Sequence, residues 1–287
     1  MLVAKIKELL LSLRKSPARF DSNSGKHFVQ PHELFAQGIY VERMPIIDRL
    51  QRLADSLKPV KTKFELVRIG GDNDGGYLVP DDLEGIQECF SPGVDLQASF
   101  EMDILSKKGI GSHLADYSVD RAPMNFVPLS FTKKYIGPNN NDTFITLEEW
   151  VAREAACGAH NDLLLQMDIE GGEFMALLSA SDALIKRFRI IVVEIHKTES
   201  WGAHCFLEVV EAFFEKLLRH FHLVHNHPNN CCGIVNLNGF FAPRVFELSF
   251  LRKDRSAAEG YATNFPHPLD APNIANRDDL ILPANWY

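Results

Sequence analysis

The pattern of apolar and polar positions changes near residue 60. Before that point Leu2, Ile6, Leu9, Leu10 and Leu13 recur at helical spacing among Lys5, Lys7, Arg14 and Lys15, which predicts a short basic amphipathic helix ended by Ser16-Pro17. A polar loop over residues 21–32 follows, then a second helical pattern over 44–57 that Pro59 closes. Beyond Phe64, short apolar runs alternate with longer helical stretches. The predicted strands are residues 88–90, 112–116, 125–129, 163–168, 190–195, 222–225 and 245–251. Several are almost continuous Val, Ile, Leu and Phe, as expected of parallel strands covered on both faces. Helices are predicted between them at 98–108, 147–156, 172–184 and 205–218. Strands alternating with helices imply a doubly wound α/β sheet. The chain is therefore divided into an N-terminal helical extension, residues 1–60, and an α/β domain, residues 61–287.

Composition narrows the partners. With 287 residues, 46% hydrophobic and 24% charged, the chain has the usage of an ordinary globular protein. Thirty Lys+Arg against 38 Asp+Glu leave a formal charge of −8, the wrong sign for a protein that neutralises nucleic-acid phosphates. Five cysteines (Cys89, Cys157, Cys205, Cys231, Cys232) are an odd number without CxxC spacing, which fits neither a disulfide framework nor a structural zinc site and points to a reducing cytoplasm. No stretch reaches the roughly 18 to 20 uncharged apolar residues of a membrane span. The helix within residues 1–15 has two readings, packing on protein (its own domain or a second subunit in a homo-oligomer) or peripheral attachment to a membrane.

In open α/β sheets ligands bind outside the carboxyl ends of the strands, near the point where strand order reverses. The first predicted strand ends in Ser91-Pro92-Gly93, where a glycine lets backbone approach a ligand and the following helix offers free N–H groups. The next ends in Asp116, placed to accept hydrogen bonds from a ribose. The missing GxGxxG speaks against an NAD or FAD enzyme. Further on, a buried run ends in Asp168 and Glu170 with Gly171-Gly172 behind them; the next ends in Glu194-Ile195-His196, and the one after in His225-Asn226-His227. Three consecutive strand ends thus carry carboxylate, imidazole and amide groups, the makings of a general base and of a site for a hard or borderline metal. Upstream, the glycine-rich run from Arg68 to Val79 predicts a hairpin of residues 65–69 and 77–79, with Arg68 and Tyr77 able to close over a ligand.

At these residues the sequence resembles the FkbM-type S-adenosylmethionine-dependent methyltransferases, in particular the branch with an R-x-G-x-x-x-D-G-G-Y segment, here Arg68, Gly70, Asp74, Gly75, Gly76 and Tyr77. The likeness takes in Ser91-Pro92-Gly93-Val94 with Phe100-Glu101, Asp116 with Ser118-Val119, Met167 to Gly171 before Glu173, Glu194-Ile195-His196, His225 to Asn230, and Pro268 to Asn273. The glycine turn holds one glycine where E/D-x-G-x-G-x-G is commoner. The resemblance implies a Rossmann-like seven-stranded class I methyltransferase sheet with its last strand antiparallel, so that residues 61–287 form the S-adenosylmethionine-dependent domain. It implies S-adenosylmethionine over the first two strands, Gly93 beneath it, Asp116 on its ribose and Ser130, at the end of the third strand, near the adenine. Arg68, Tyr77, Ser91, Glu101 and Asp168 complete the cofactor set. The acceptor would lie among Asp168, Glu170, Glu194, His196, His225 and His227, with Asp168, His196 and His227 catalytic. Asp168, Glu194 and His227 would be the ligands of Mg2+ or another divalent cation. The activity implied is O-methylation of a sugar hydroxyl on a surface polysaccharide or glycosylated metabolite. The rival is a non-catalytic methyltransferase-like subunit that binds a partner.

Overall fold

The computed structural model describes residues 35, 36, 38–40, 42–123, 125–155, 158 and 162–287. The helix expected within residues 1–15 lies outside them. Contacts divide the chain into two units, Met1–Arg43 and Met44–Tyr287; the second contains the sheet. Among the described residues no helix is long and apolar enough to cross a membrane.

Helix α1 (Ile47–Ser56) precedes the antiparallel hairpin of β1 (Leu66–Ile69) and β2 (Tyr77–Pro80). There follow β3 (Glu88–Pro92), α2 (Ser99–Lys108), β4 (Gly111–Ala115), β5 (Ser130–Thr132), the short pair β6 (Tyr135–Ile136) and β7 (Phe144–Ile145), and α3 (Leu147–Glu154). Next come β8 (Leu163–Met167), α4 (Glu173–Ser179), α5 (Asp182–Ile185), β9 (Phe188–Ile195) and α6 (His204–His220). The last strands are β10 (Phe221–Pro228), β11 (Ile234–Leu237), β12 (Phe240–Pro243) and β13 (Phe246–Arg252). Seven of them form one sheet in the order β10-β13-β9-β8-β3-β4-β5. β13 runs antiparallel to both neighbours, and every other adjacent pair is parallel.

Every residue of β8 and β9 is buried, which explains their unbroken apolar character. Alternate side chains feed two cores. Leu165, Met167, Ile191 and Val193 join Trp150, Phe174 and Phe213 on one face; Leu164, Ile190 and Val192 join Tyr77, Val79 and Phe100 on the other. α6 turns Leu207, Val210, Phe213, Phe214 and Leu217 inward at three- and four-residue spacing. α1 contributes Leu50, Leu53 and Ala54 to the first core, so this helix shares the core of the sheet.

Two predicted elements differ. The third strand is Ser130–Thr132, not 125–129: Pro128 lacks the N–H a ladder needs, and Val127 stands 88% exposed. Pairing begins only where the Leu129 N–H donates to the Ser112 carbonyl, at 2.8 Å. The single helix expected over 172–184 is two, because Ala180 is extended and the Ser181 hydroxyl caps α5 by accepting from Leu184 N–H at 3.1 Å. The Lys216 ammonium closes the end of α4 by donating to the carbonyls of Leu177 and Leu178 at 2.9 and 3.0 Å. Cys231 and Cys232, neighbours in sequence, form a disulfide that the odd cysteine count did not suggest.

At the amino end of the sheet, buried charges are matched. Arg189 donates to Asp162 Oδ2 at 2.8 Å and to the carbonyls of Asp82 and Glu84 at 2.9 and 2.6 Å. Arg252 reaches the other Asp162 oxygen at 2.7 Å, and Arg255 grips both oxygens of Asp82 at 2.7 and 2.9 Å. Such forked pairs satisfy acid and base together.

Candidate active site

Strand order reverses at β3: the chain proceeds to β4 and β5 on one side and to β8 and β9 on the other. The crevice outside the carboxyl ends of β3 and β8 is thus the expected ligand position. Gly93 and Asp168 meet there. Gly93 has φ +88, and a Cβ on it would lie 1.6 Å from the Asp168 carbonyl oxygen. Only glycine fits, and the close approach it permits is first to the neighbouring strand end rather than to a ligand.

Asp116, 5% exposed, organises the same rim. Its Oδ2 accepts from Asp95 N–H at 2.9 Å, and its Oδ1 from the Ser118 N–H and hydroxyl, both at 2.7 Å. Ser91 and Glu101 lie buried beneath the turn, hydrogen-bonded to each other, and Ser91 also contacts Gln166 Oε1 at 2.6 Å. Burial pushes the Glu101 carboxyl up despite its bond to Ser91. Arg68 donates to three backbone carbonyls, Gly71 at 2.8 Å, Asn73 at 3.2 Å and Leu269 at 3.4 Å, and so clamps the glycine loop to the C-terminal segment. Tyr77 is buried and its hydroxyl stands 3.4 Å from Glu194 Oε2. Ser130 opens β5 rather than closing it, and bonds His113 Nδ1 at 2.8 Å.

The acids expected at β8 and β9 converge around His196. Its Nδ1 lies 3.0 Å from Glu173 Oε1, and its Nε2 is 3.7 Å from Asp168, 3.6 Å from Glu170 and 3.9 Å from Glu194. Glu173, fully buried, also accepts from the Gly171 and Ile169 N–H groups at 3.0 and 3.3 Å. Because its Oε1 already accepts from backbone, the His196 proton belongs on Nδ1 and leaves Nε2 facing the acids. Burial pushes the Asp168 carboxyl up to about 7 against the pull of His196, with Glu170, Glu173 and Asp74 adding to the rise. Burial, then Asp168 and Glu247, hold Glu194 well above the usual carboxylate range, although Asn229 donates to its Oε1 at 2.9 Å. Burial disfavours a charged His196, yet the Glu173 hydrogen bond and the surrounding acids raise its pKa. Burial and then Glu247 likewise raise the nearby Asp74.

The other two histidines are held differently. His225 Nε2 lies 2.9 Å from Asp270. His227, 1% exposed, spans Glu247 and Asp279 at 3.2 Å each; against the cost of burial, Glu247 foremost lifts its imidazole to about 9. The C-terminal segment thereby ties down over β10, helped by Asn273 donating to Glu247 at 2.6 Å and by Asn230 accepting from Ile274 N–H at 2.8 Å. The structure therefore gathers Asp168, Glu170, Glu194 and His196, adds Glu173 and Asp74 to them, and engages His227 with Glu247 and Asp279. Glu173 lay inside the D-I-E-G-G-E run, but an acid opening a helix reads as a partner for the helix dipole; its burial against His196 arises 23 residues away.

A seven-stranded sheet wound outward from β3, with one antiparallel strand inserted next to the edge and polar groups at the switch point, defines the Rossmann-like class I methyltransferase fold. Within it, residues 143–222 match the methyltransferase FkbM domain, so the FkbM-type resemblance is borne out over that stretch. Among solved structures, the fibrillarin pre-rRNA processing protein of Methanococcus jannaschii aligns with 59% of this chain and 68% of its own, at 12% identity and a TM-score of 0.28. No curated protein matches the chain.

Proposed function

We propose that the protein transfers a methyl group from S-adenosylmethionine to a sugar hydroxyl of a surface polysaccharide or glycosylated metabolite. The observation that carries this reading is the His196 imidazole, held by buried Glu173 with Nε2 toward Asp168 at the strand switch point. When bound, the cofactor supplies an electrophilic methyl on a sulfonium. The Gly93 turn and Asp116 would hold it; Asp116 Oδ2 accepts one protein N–H and keeps a lone pair that a ribose hydroxyl could use. Arg68, Tyr77, Ser91 and Glu101 brace the loops around that place from behind.

The rim around His196 would position the acceptor hydroxyl to take that methyl. The hydroxyl proton passes to Nε2 of His196; a divalent cation at the same rim would acidify the hydroxyl instead. Asp168, Glu170 and Glu194 around Nε2 favour a neutral acceptor over a phosphate or carboxylate, whose charge they would repel.

Methyl-labelled S-adenosylmethionine offered with a panel of neutral sugars and their uronic acid counterparts tests this reading. Label is expected in O-methyl groups of neutral sugars, with a rate that rises as pH passes above the ordinary imidazole range. His196→Asn should lower kcat by about a hundredfold or more while cofactor binding persists. Undiminished transfer by that variant, or transfer to uronic acids alone, would contradict it.

A further inference from the structure

We propose that Asp168, Glu173 and His196 form a divalent-cation site at the carboxyl ends of β8 and β9. This set has Glu173 and His196 in place of Glu194 and His227. Its place in catalysis rests on the methyl-transfer reading; its existence does not.

One ligand atom from each of the three residues lies within 4.8 Å of the others. Two of the carboxylate oxygens, Asp168 Oδ1 and Glu173 Oε2, are buried and have no hydrogen-bond partner among the described residues. Glu173 is wholly inaccessible. A buried acid with an idle oxygen is costly unless something positive sits against it. At the amino end of the sheet that something is arginine; here none of the hydrogen bonds or ion pairs to Asp168 or Glu173 comes from Arg or Lys among the described residues.

The spacing around Nε2 points the same way. The Asp168 oxygen 3.7 Å from Nε2 is too far for a hydrogen bond. Ligands bound at about 2.0–2.4 Å to one metal stand roughly 3–4 Å apart, so such a gap is what a cation would fill. The support is also in place: Glu173 Oε1 is fixed by the Gly171 N–H at 3.0 Å and orients His196 through Nδ1 at 3.0 Å, the outer hydrogen bonds that metal-binding side chains need. Glu170 and Gly171, at φ +57 and +99, take left-handed conformations that turn the loop back over this spot.

Two carboxylates with one imidazole suit Mn2+, Fe2+ or Zn2+ better than Ca2+ or Mg2+, which prefer oxygen alone. A bound ion lowers the pKa of a hydroxyl placed on it. His196 then acts as ligand, and the acidified proton passes to solvent.

The test titrates the full chain, stripped with EDTA and dialysed, with Mn2+ alone, followed by electron paramagnetic resonance and calorimetry. S-adenosylmethionine is titrated separately into the same preparation. One Mn2+ per chain is expected. Glu173→Gln and Asp168→Asn should each weaken it by about tenfold or more, with His227→Gln within about twofold of the parent. Thermal melts identify any variant that fails to fold, in which case the remaining variant and His196→Gln decide. No binding at about 1 mM Mn2+ by folded protein, equal affinity in the Glu173 and Asp168 variants, or loss confined to His227→Gln would overturn the site. Retained S-adenosylmethionine binding would then confine the failure to the cation; loss of both would also remove the methyltransferase reading.

Discussion

The two ends of the sheet carry the same kinds of residue in opposite electrostatic states. At the amino end Asp82 is buried and Asp162 partly so, and Arg189, Arg252 and Arg255 satisfy them. At the carboxyl end Glu173 and Glu194 are buried and Asp168 partly so, with one histidine among them and idle buried oxygens on Asp168 and Glu173. A fold has reason to build the first cluster for its own stability. The second raises the energy of the empty protein and makes sense for a ligand that brings positive charge, a cation or the sulfonium of the cofactor.

Substitutions at the two ends should therefore differ in size and in sign. The largest effect is expected where the carboxyl ends of β3 and β8 touch. Gly93→Ala drives a Cβ into the Asp168 carbonyl and should cost about 4 kcal/mol or more in urea unfolding. Next comes Arg189→Met, which strands one Asp162 oxygen and two carbonyls and should cost about 3 kcal/mol; a loss below about 0.5 kcal/mol would show that the amino-end pairs are idle.

His227 sits between the extremes, a buried histidine at the acidic end that has found its counter-charges. Its pKa is raised in the fold to about 9. The stability it contributes is fully present below the unfolded imidazole value and is lost as pH rises through 9. His227→Gln should cost about 2 kcal/mol near pH 6 and almost nothing near pH 10.

The smallest effect has the opposite sign. Asp168 is raised to about 7, so its contribution is present at acid pH and disappears as pH rises through 7. In EDTA, Asp168→Asn should match the parent near pH 4 and exceed it by about 1 kcal/mol at pH 8. A loss of stability at pH 8 would mean that Asp168 is a structural acid, like Asp162.

Much of this was legible in the chain, because burial on both faces writes itself as unbroken apolar runs, and six of the seven sheet strands fall on them. The seventh was displaced by Pro128, whose apolar neighbours Phe126 and Val127 imitate a strand without being able to pair as one. Asp168, Glu194 and His196 were legible because polar residues closing apolar strands stand out. Glu173 did not, since its partner His196 comes from the next strand. The engagement of His227 was hidden for the same reason, Asp279 lying 52 residues away. Gly93 was read as a ligand turn from its local setting, whereas the atom that demands glycine belongs to Asp168, just past β8. Local pattern reports which residues lie at the rim; which of them are already satisfied depends on contacts between distant segments.

The carboxyl rim is proposed to bind S-adenosylmethionine through the switch-point turn and Asp116. Calorimetric titration of the full chain tests it directly. One molecule should bind per chain, weakened about tenfold or more by Asp116→Ala, which would remove the proposed acceptor for the ribose hydroxyls. Folded protein that binds no S-adenosylmethionine, or that binds it equally well without the Asp116 carboxylate, would contradict the account.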